Sequence, residues 1–389
     1  SATVHFPIWH QEIEDILVLK NNKGTEDNRV RKLDYSIQIS ELFYKRFIND
    51  EDVSLFSPHD VDNLYDVYGS PEFDTLYEKY ERNKKIPRKT IGAQKLFMEL
   101  LKERAETGRI YIMNIDHCNT HSSFKDKVYM SNLCQEITLP TKPIKHIDDP
   151  EGEIALCILS AINLGMIKDK EELEELCDLS VRALDEIIDY QEYPVEAAKK
   201  STEARRSLGV GYIGLAHYLA KNKVKYNNQE AWKLVDEITE AFQYYLLKAS
   251  NQLAQEKGKC DYFDRTKYAD GILPIDTYKK DVDNIVKRKL SYDWTNLRKT
   301  IKQHGLRHST LSAQMPSESS SVVSNATNGI EPPRDYLSVK KSKKGTLKQI
   351  VPDYNRLKNF YTLLWDMPDN EGYINIVAIM QKYFDQAIS

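Results

Sequence analysis

Asn132-Leu133-Cys134-Gln135-Glu136 sets an amide, a thiol and a carboxyl at alternating positions. The run Leu133 to Leu139 (LCQEITL) alternates like a strand. A strand's period of two puts Asn132, Cys134 and Glu136 on one face, successive members about 7 Å apart. A carboxylate beside a thiol raises the thiol pKa, which is wrong for a thiolate nucleophile. It suits chemistry in which sulfur works uncharged, with Glu136 as a separate acid or base and Asn132 as a hydrogen-bonding clamp. The alternative is that Cys134 is a small buried hydrophobe, as most cysteines outside disulfides are.

Cys157 lies 23 residues beyond Cys134, room enough for an adjacent strand, and the spacing fits no CxxC redox or zinc pattern. Cys118, Cys177 and Cys260 read as structural or incidental. A second candidate is Met315-Pro316-Ser317-Glu318-Ser319-Ser320-Ser321, which follows a short apolar piece, Leu311 to Met315. Hydroxyls and backbone N–H groups at a strand-to-helix turn are what a phosphate or diphosphate needs, although a plain serine N-cap on a surface loop fits equally well.

Two patterns are decoys. Gly209-Val210-Gly211-Tyr212-Ile213-Gly214 matches GxGxxG, but Glu203 to Ser207 before it is no strand, so the glycines are expected to allow close packing at a helix start. His117 and His121 have metal-like spacing, but Asn119 and Thr120 are expected to break that helix and no third ligand is evident, so no metal site is expected.

The elements that position these residues follow from periodicity. Helical patterns cover Ile8 to Leu19, Ile37 to Phe47, Lys89 to Glu106 with Gly108 as its C-cap, Glu171 to Tyr190, Glu230 to Glu256, and Tyr373 to Ala387. Arg109 to Asn114 alternates like a strand. Tyr336 to Lys340 and Thr346 to Val351, joined through Lys343, Lys344 and Gly345, predict a β-hairpin. Strands separated by long helices indicate an α/β class with parallel pairing, a barrel or a doubly wound sheet.

Of 389 residues, 41% are apolar and 10% aromatic, enough to bury a core. Fifty-five basic against 59 acidic residues, a net of −4, argue against nucleic acid held by bulk charge. No apolar run approaches the roughly 20 residues that span a bilayer. Five cysteines in so long a chain do not suit a secreted disulfide scaffold. We therefore expect a soluble, cytoplasmic protein, or one of the host cytoplasm if phage-encoded, that binds neither nucleic acid nor membrane.

SNLCQE, GEIALCILSAINLG, ILPIDTYKKDVD and MPSESSSVVSNATNGIEPPR together resemble the large, catalytic subunit of class I ribonucleotide reductase, colinearly from about Thr3 to the last residue and nearest its aerobic bacterial and phage branch. The resemblance implies a ten-stranded α/β barrel with a central finger loop near 130–140, incomplete here, and a hairpin excursion near 336–351. It implies that Cys134 is the thiyl that abstracts the ribose 3′-hydrogen. Glu136 would take the 3′-hydroxyl proton, and Asn132, with Leu133 and Gln135, would contact the substrate. Cys157 would be one of two cysteines that supply electrons and end as a disulfide. Pro316, Ser317, Glu318, Ser319 and Ser320 would hold the substrate diphosphate.

The same resemblance implies parts outside this chain. These are an effector-binding cone for ATP and dNTPs, the partner of Cys157, a tyrosine pair relaying the radical, and a tail serving thioredoxin or glutaredoxin. The radical metallocofactor would reside on a small partner subunit. Ser1 in place of Met, and a helical pattern cut at Ser389, lead us to expect an interior piece, left by an intein junction or by processing, that works only with the remaining portions. The contrasting expectation is a non-catalytic nucleotide-binding or assembly fragment.

Overall fold

The computed structural model describes residues 2–342 and 345–389. They form two compact units, Ser1–Ser122 with Lys127–Leu139, and Ser123–Asp126 with Pro140–Ser389. The class is mixed α/β. No helix among the described residues is long and apolar enough to cross a membrane.

The first unit runs β1 (Thr3–Pro7), α1 (Ile13–Leu17), β2 (Asp34–Ile39), α2 (Glu41–Ile48), β3 (Asp52–Leu55), α3 (Leu64–Val67), α4 (Glu72–Arg82), β4 (Lys89–Gly92), α5 (Ala93–Thr107), β5 (Ile110–Asn114) and α6 (Ile115–Thr120). Strands β1, β2 and β5 make a parallel sheet with β2 in the centre. All six residues of β2 are buried, as a parallel strand covered on both faces requires. Its apolar set, Tyr35, Ile37 and Ile39, packs with Ile13, Ile16 and Leu17 of α1 and Leu96 and Leu100 of α5. Its polar set, Asp34, Ser36 and Gln38, faces the other way.

Several boundaries differ from the helical readings. The Ile8–Leu19 pattern yields a helix only over Ile13–Leu17, after strand β1. Ile37 belongs to β2, and the helix begins at Glu41. Lys89–Gly92 is a strand because Thr90 and Ile91 pair with Ser54 and Val53 of β3. Downstream, α5 ends on Gly108 in the left-handed region (φ 63°), which glycine adopts without strain. Asn119 and Thr120 lie within α6 and do not break it; His117 is helical and His121 is its C-cap.

The second unit runs β6 (Ile158–Asn163), α7 (Lys170–Tyr190), α8 (Glu196–Arg205), β7 (Leu208–Ile213), α9 (Leu215–Lys221), α10 (Gln229–Lys257), α11 (Pro274–Thr277), α12 (Trp294–His304), α13 (Glu318–Val323), β8 (Leu337–Ser342), β9 (Gly345–Ile350), α14 (Tyr354–Leu357) and α15 (Glu371–Gln381). Asp169 caps α7 by accepting from Glu172 N at 2.8 Å, while Glu172 accepts from Lys168 N at 2.7 Å. Leu173, Cys177, Val181, Leu184 and Ile188 then bury one helical stripe of α7 against α10.

Strands β6 and β7 pair in parallel, and residues 310–314 run beside β7: Val210 N donates to Leu311 O (2.8 Å) and Ala313 N to Val210 O (3.1 Å). On its far side this segment meets the C-terminal residues, with Gln314 N donating to Ala387 O at 3.1 Å. The chain therefore leaves the helix at Gln381, short of the Ala387 expected, to add an extended segment. Buried Asp385 fixes that junction by accepting from Leu311 N, Ser312 N and Tyr268 Oη at 3.0, 2.8 and 2.6 Å.

Gly209 and Gly211 lie inside β7 and not at a helix start; only Gly214 caps a helix, α9. A Cβ on Gly211 would lie 2.5 Å from Ala313 O, so the glycine permits close packing of two extended segments and cradles no dinucleotide. The expected hairpin forms as antiparallel β8 and β9, and Lys343 and Lys344 lie outside the described residues.

Candidate active site

Residues 132–136 do not form a strand, so the one-face alignment of Asn132, Cys134 and Glu136 by a period of two does not hold. They form a turn. Gln135 N donates to Asn132 O at 3.4 Å, which places Leu133 and Cys134 at the two central positions. Below it the loop is closed twice: Asn132 N donates to Ile137 O, and Ile137 N donates to Asn132 Oδ1, both at 3.2 Å. Ser131 Oγ adds a bond to Ile137 O at 2.7 Å. Gln135 is held at φ 73°, a left-handed conformation unusual for a residue other than glycine.

This turn lies on the polar face of the parallel sheet of the first unit. Thr3 Oγ1 donates to Leu133 O at 3.2 Å, and Ser36 Oγ donates to Gln135 Oε1 at 2.9 Å. Gln135 Nε2 returns to Asn132 O at 3.1 Å. Further back, the Gln38 amide donates to Tyr129 O. Tyr111 stands in register with Ser36 on the neighbouring strand. Thr3, Ser36 and Gln38 of this sheet therefore each bond the segment carrying Cys134.

The electrostatics favour an uncharged sulfur. Burial pushes the Cys134 thiol pKa up, and the charges of Glu136 and Asp34 push it further. Asp34 is itself buried and ion-paired with Lys20. Glu136 is 3% exposed, and burial raises its carboxyl pKa against hydrogen bonds from its own backbone and the Asn132 amide. Its Oε2 is buried with no bonded partner. A neutral thiol at a turn apex, beside a carboxyl poised to exchange a proton, suits hydrogen-atom chemistry and disfavours thiolate attack.

The remaining predicted residues lie in the second unit. Cys157 is partly exposed and immediately precedes β6. Ser317 is the N-cap residue of α13, six residues long; it is 4% exposed and its Oγ has no partner. Pro316, Glu318, Ser319 and Ser320 are exposed around it. Among the described residues no group of three or more His, Cys, Asp or Glu is arranged to hold a metal ion.

Sequence reasoning missed Thr3, Asp34, Ser36, Gln38 and Tyr111. The signal was there for the β2 residues: Asp34-Tyr35-Ser36-Ile37-Gln38-Ile39 alternates strictly between polar and apolar.

A thiol kept neutral beside a buried carboxyl on one turn of an α/β chain is an arrangement suited to cysteine redox or radical chemistry. The family model described as ribonucleotide reductase, barrel domain, matches residues 1–389, and the chain belongs to that family. The ribonucleoside-diphosphate reductase subunit alpha of Buchnera aphidicola subsp. Schizaphis graminum is 58% identical over 394 residues, covering 100% of this chain and 52% of that protein. The ribonucleoside-diphosphate reductase 1 subunit alpha of Escherichia coli K12 is 57% identical with the same coverage. The subunit alpha of Enterobacteria phage T4 is 44% identical over 399 residues, again covering 100% and 52%. The chain thus spans about half the length of the curated relatives it matches.

Proposed function

We propose that this chain is the greater part of the catalytic barrel of a ribonucleoside-diphosphate reductase large subunit. That barrel is ten-stranded, with 130–140 as its finger loop and the 336–351 hairpin as an excursion. Cys134, as a thiyl, abstracts the ribose 3′-hydrogen atom and later returns it. Glu136 accepts the 3′-hydroxyl proton and Asn132 holds the sugar hydroxyls. The 2′-hydroxyl leaves as water; its proton and the two reducing electrons come from Cys157 and a second cysteine outside this chain, which end as a disulfide. Leu133 and Gln135 complete the sugar contacts, and Pro316 to Ser320 hold the diphosphate.

The reading extends to partners. A small subunit supplies the radical from its metallocofactor, thioredoxin or glutaredoxin reduces the disulfide through a tail, and other portions of the large subunit bind ATP and dNTP effectors in the cytoplasm. The observation that supports the reading best is the Asn132–Glu136 turn, where burial and Glu136 keep the Cys134 thiol neutral. A radical sulfur needs no depressed pKa, whereas a nucleophile does.

The test is Cys134→Ser in the chain assembled with its flanking portions and a radical-generating subunit. Reduction of cytidine diphosphate should fall to background while substrate binding stays within a few-fold of wild type. Retained turnover would overturn the assignment.

A further inference from the structure

Two buried oxygens in the second unit have no hydrogen-bond partner and lie beside the same glycine, Gly329: Ser317 Oγ and Glu331 Oε2. Gly329 shows how close they are. A methyl on its Cα would sit 2.7 Å from Glu331 Oε2 and 3.5 Å from Ser317 Oγ. Gly329, at φ 44°, brings no Cβ against them, and its N–H is turned to Ser321 Oγ at 3.4 Å. The two orphaned oxygens therefore flank the same face of Gly329. Buried polar atoms are nearly always satisfied in folded proteins, so a pair left open in one cradle marks a place for a polar ligand.

Charge at this place points the same way. An ionised Glu331, with the charge of Glu318 nearby, would repel a diphosphate at this loop. Glu331 is biased the other way: burial raises its pKa and Glu318 raises it further, against Arg334 and two backbone hydrogen bonds that lower it. The other titratable groups facing it are Tyr226 and Tyr373, both held neutral by burial. An arriving diphosphate adds negative charge beside the carboxyl and favours its protonated form again.

We propose that Glu331 binds the substrate diphosphate as a neutral acid, its Oε2–H and Ser317 Oγ–H both donating to one phosphate oxygen seated beside Gly329. The proton that Glu331 carries is taken from solvent as the diphosphate binds. This rests on reading Pro316 to Ser320 as the diphosphate loop; it adds a residue of a separate segment to that site and couples substrate affinity to pH.

The experiment is titration calorimetry of cytidine diphosphate, with inorganic diphosphate as a second probe, into the full chain joined to its flanking portions. It is run at neutral pH in buffers of different ionisation enthalpy. Wild type should take up more protons than Glu331→Gln, the difference approaching about one proton per diphosphate, because the phosphate's own titration cancels between them. Glu331→Gln should bind within a few-fold of wild type, since the amide still donates, whereas Glu331→Ala should weaken binding about tenfold or more. Wild-type affinity should also fall as pH rises, and Glu331→Gln should flatten that slope.

Equal proton uptake in wild type and Glu331→Gln, with binding intact, overturns the inference and leaves the functional reading standing. No binding of cytidine diphosphate by wild type overturns both. A thermal melt of each variant separates lost affinity from lost fold; should Glu331→Gln melt early, Glu331→Asp is the substitute, expected to reduce the uptake by withdrawing the acid from the cradle.

Discussion

Gln135 sits in a conformation its side chain does not favour, and two hydrogen bonds from that side chain hold it there. A residue other than glycine in the left-handed region costs about 1–2 kcal/mol. Against this, Gln135 Oε1 accepts from Ser36 Oγ and its Nε2 donates to Asn132 O, at 2.9 and 3.1 Å, each contributing about 1 kcal/mol net. Gln135→Ala keeps the strain and loses both bonds, so the turn should open about 30-fold more often, from about 2 kcal/mol. Gln135→Gly loses the same bonds but sheds about 1 kcal/mol of strain, leaving about a fivefold increase. The order of stability is therefore wild type, then glycine, then alanine. Hydrogen exchange reads it directly, since the Ile137 amide is closed onto Asn132 Oδ1 and exchanges when the turn opens. Ser36→Ala should add little to Gln135→Ala, because both remove one shared bond. An alanine variant as protected as the glycine variant, or full additivity with Ser36→Ala, would refute the account.

The buried carboxyl makes a prediction about pH. Glu136 has a folded-state pKa raised above its ordinary 4.5, so it costs nothing below that value and destabilises the fold as pH rises through the raised pKa. Glu136→Gln should therefore melt higher than wild type at neutral pH, with the difference vanishing below pH 4.5; an equal or lower melting temperature at neutral pH contradicts it. In the second unit, Asp185 is fully buried and accepts from Arg206 at 2.6 Å and from Arg307 and His308 at 3.2 Å. Asp185→Asn should cost about 3–5 kcal/mol in urea unfolding by leaving buried cations without their counter-charge; a loss under about 1 kcal/mol would show that the network relaxes around it.

What the sequence made legible divides by the range of the forces involved. Helix α7 is readable because its stripe, from Leu173 to Ile188, and its Asp169 cap are local; Gly108 announces a helix end because the left-handed region selects glycine. The end of β2 reads as helix because Ile39 and Phe43, four residues apart, also suit a helical stripe, and only burial on both faces separates the two.

The turn around Cys134 is the instructive failure. Its alternation of Asn132, Cys134 and Glu136 imitates a strand, but the alternation has no ladder to satisfy. The backbone instead bonds to itself between Asn132 and Ile137, and the turn is steadied by Thr3 and Ser36, residues far away in the chain. Nor does a glycine mark the left-handed position, since Gln135 is kept there by a tertiary hydrogen bond that no local window contains. A segment held against its own preference by distant partners is unreadable from propensity, and reactive residues are often carried on such segments. The residue types alone carry a different signal: a thiol beside a carboxyl is a poor nucleophile, which favours an uncharged sulfur whatever backbone holds it.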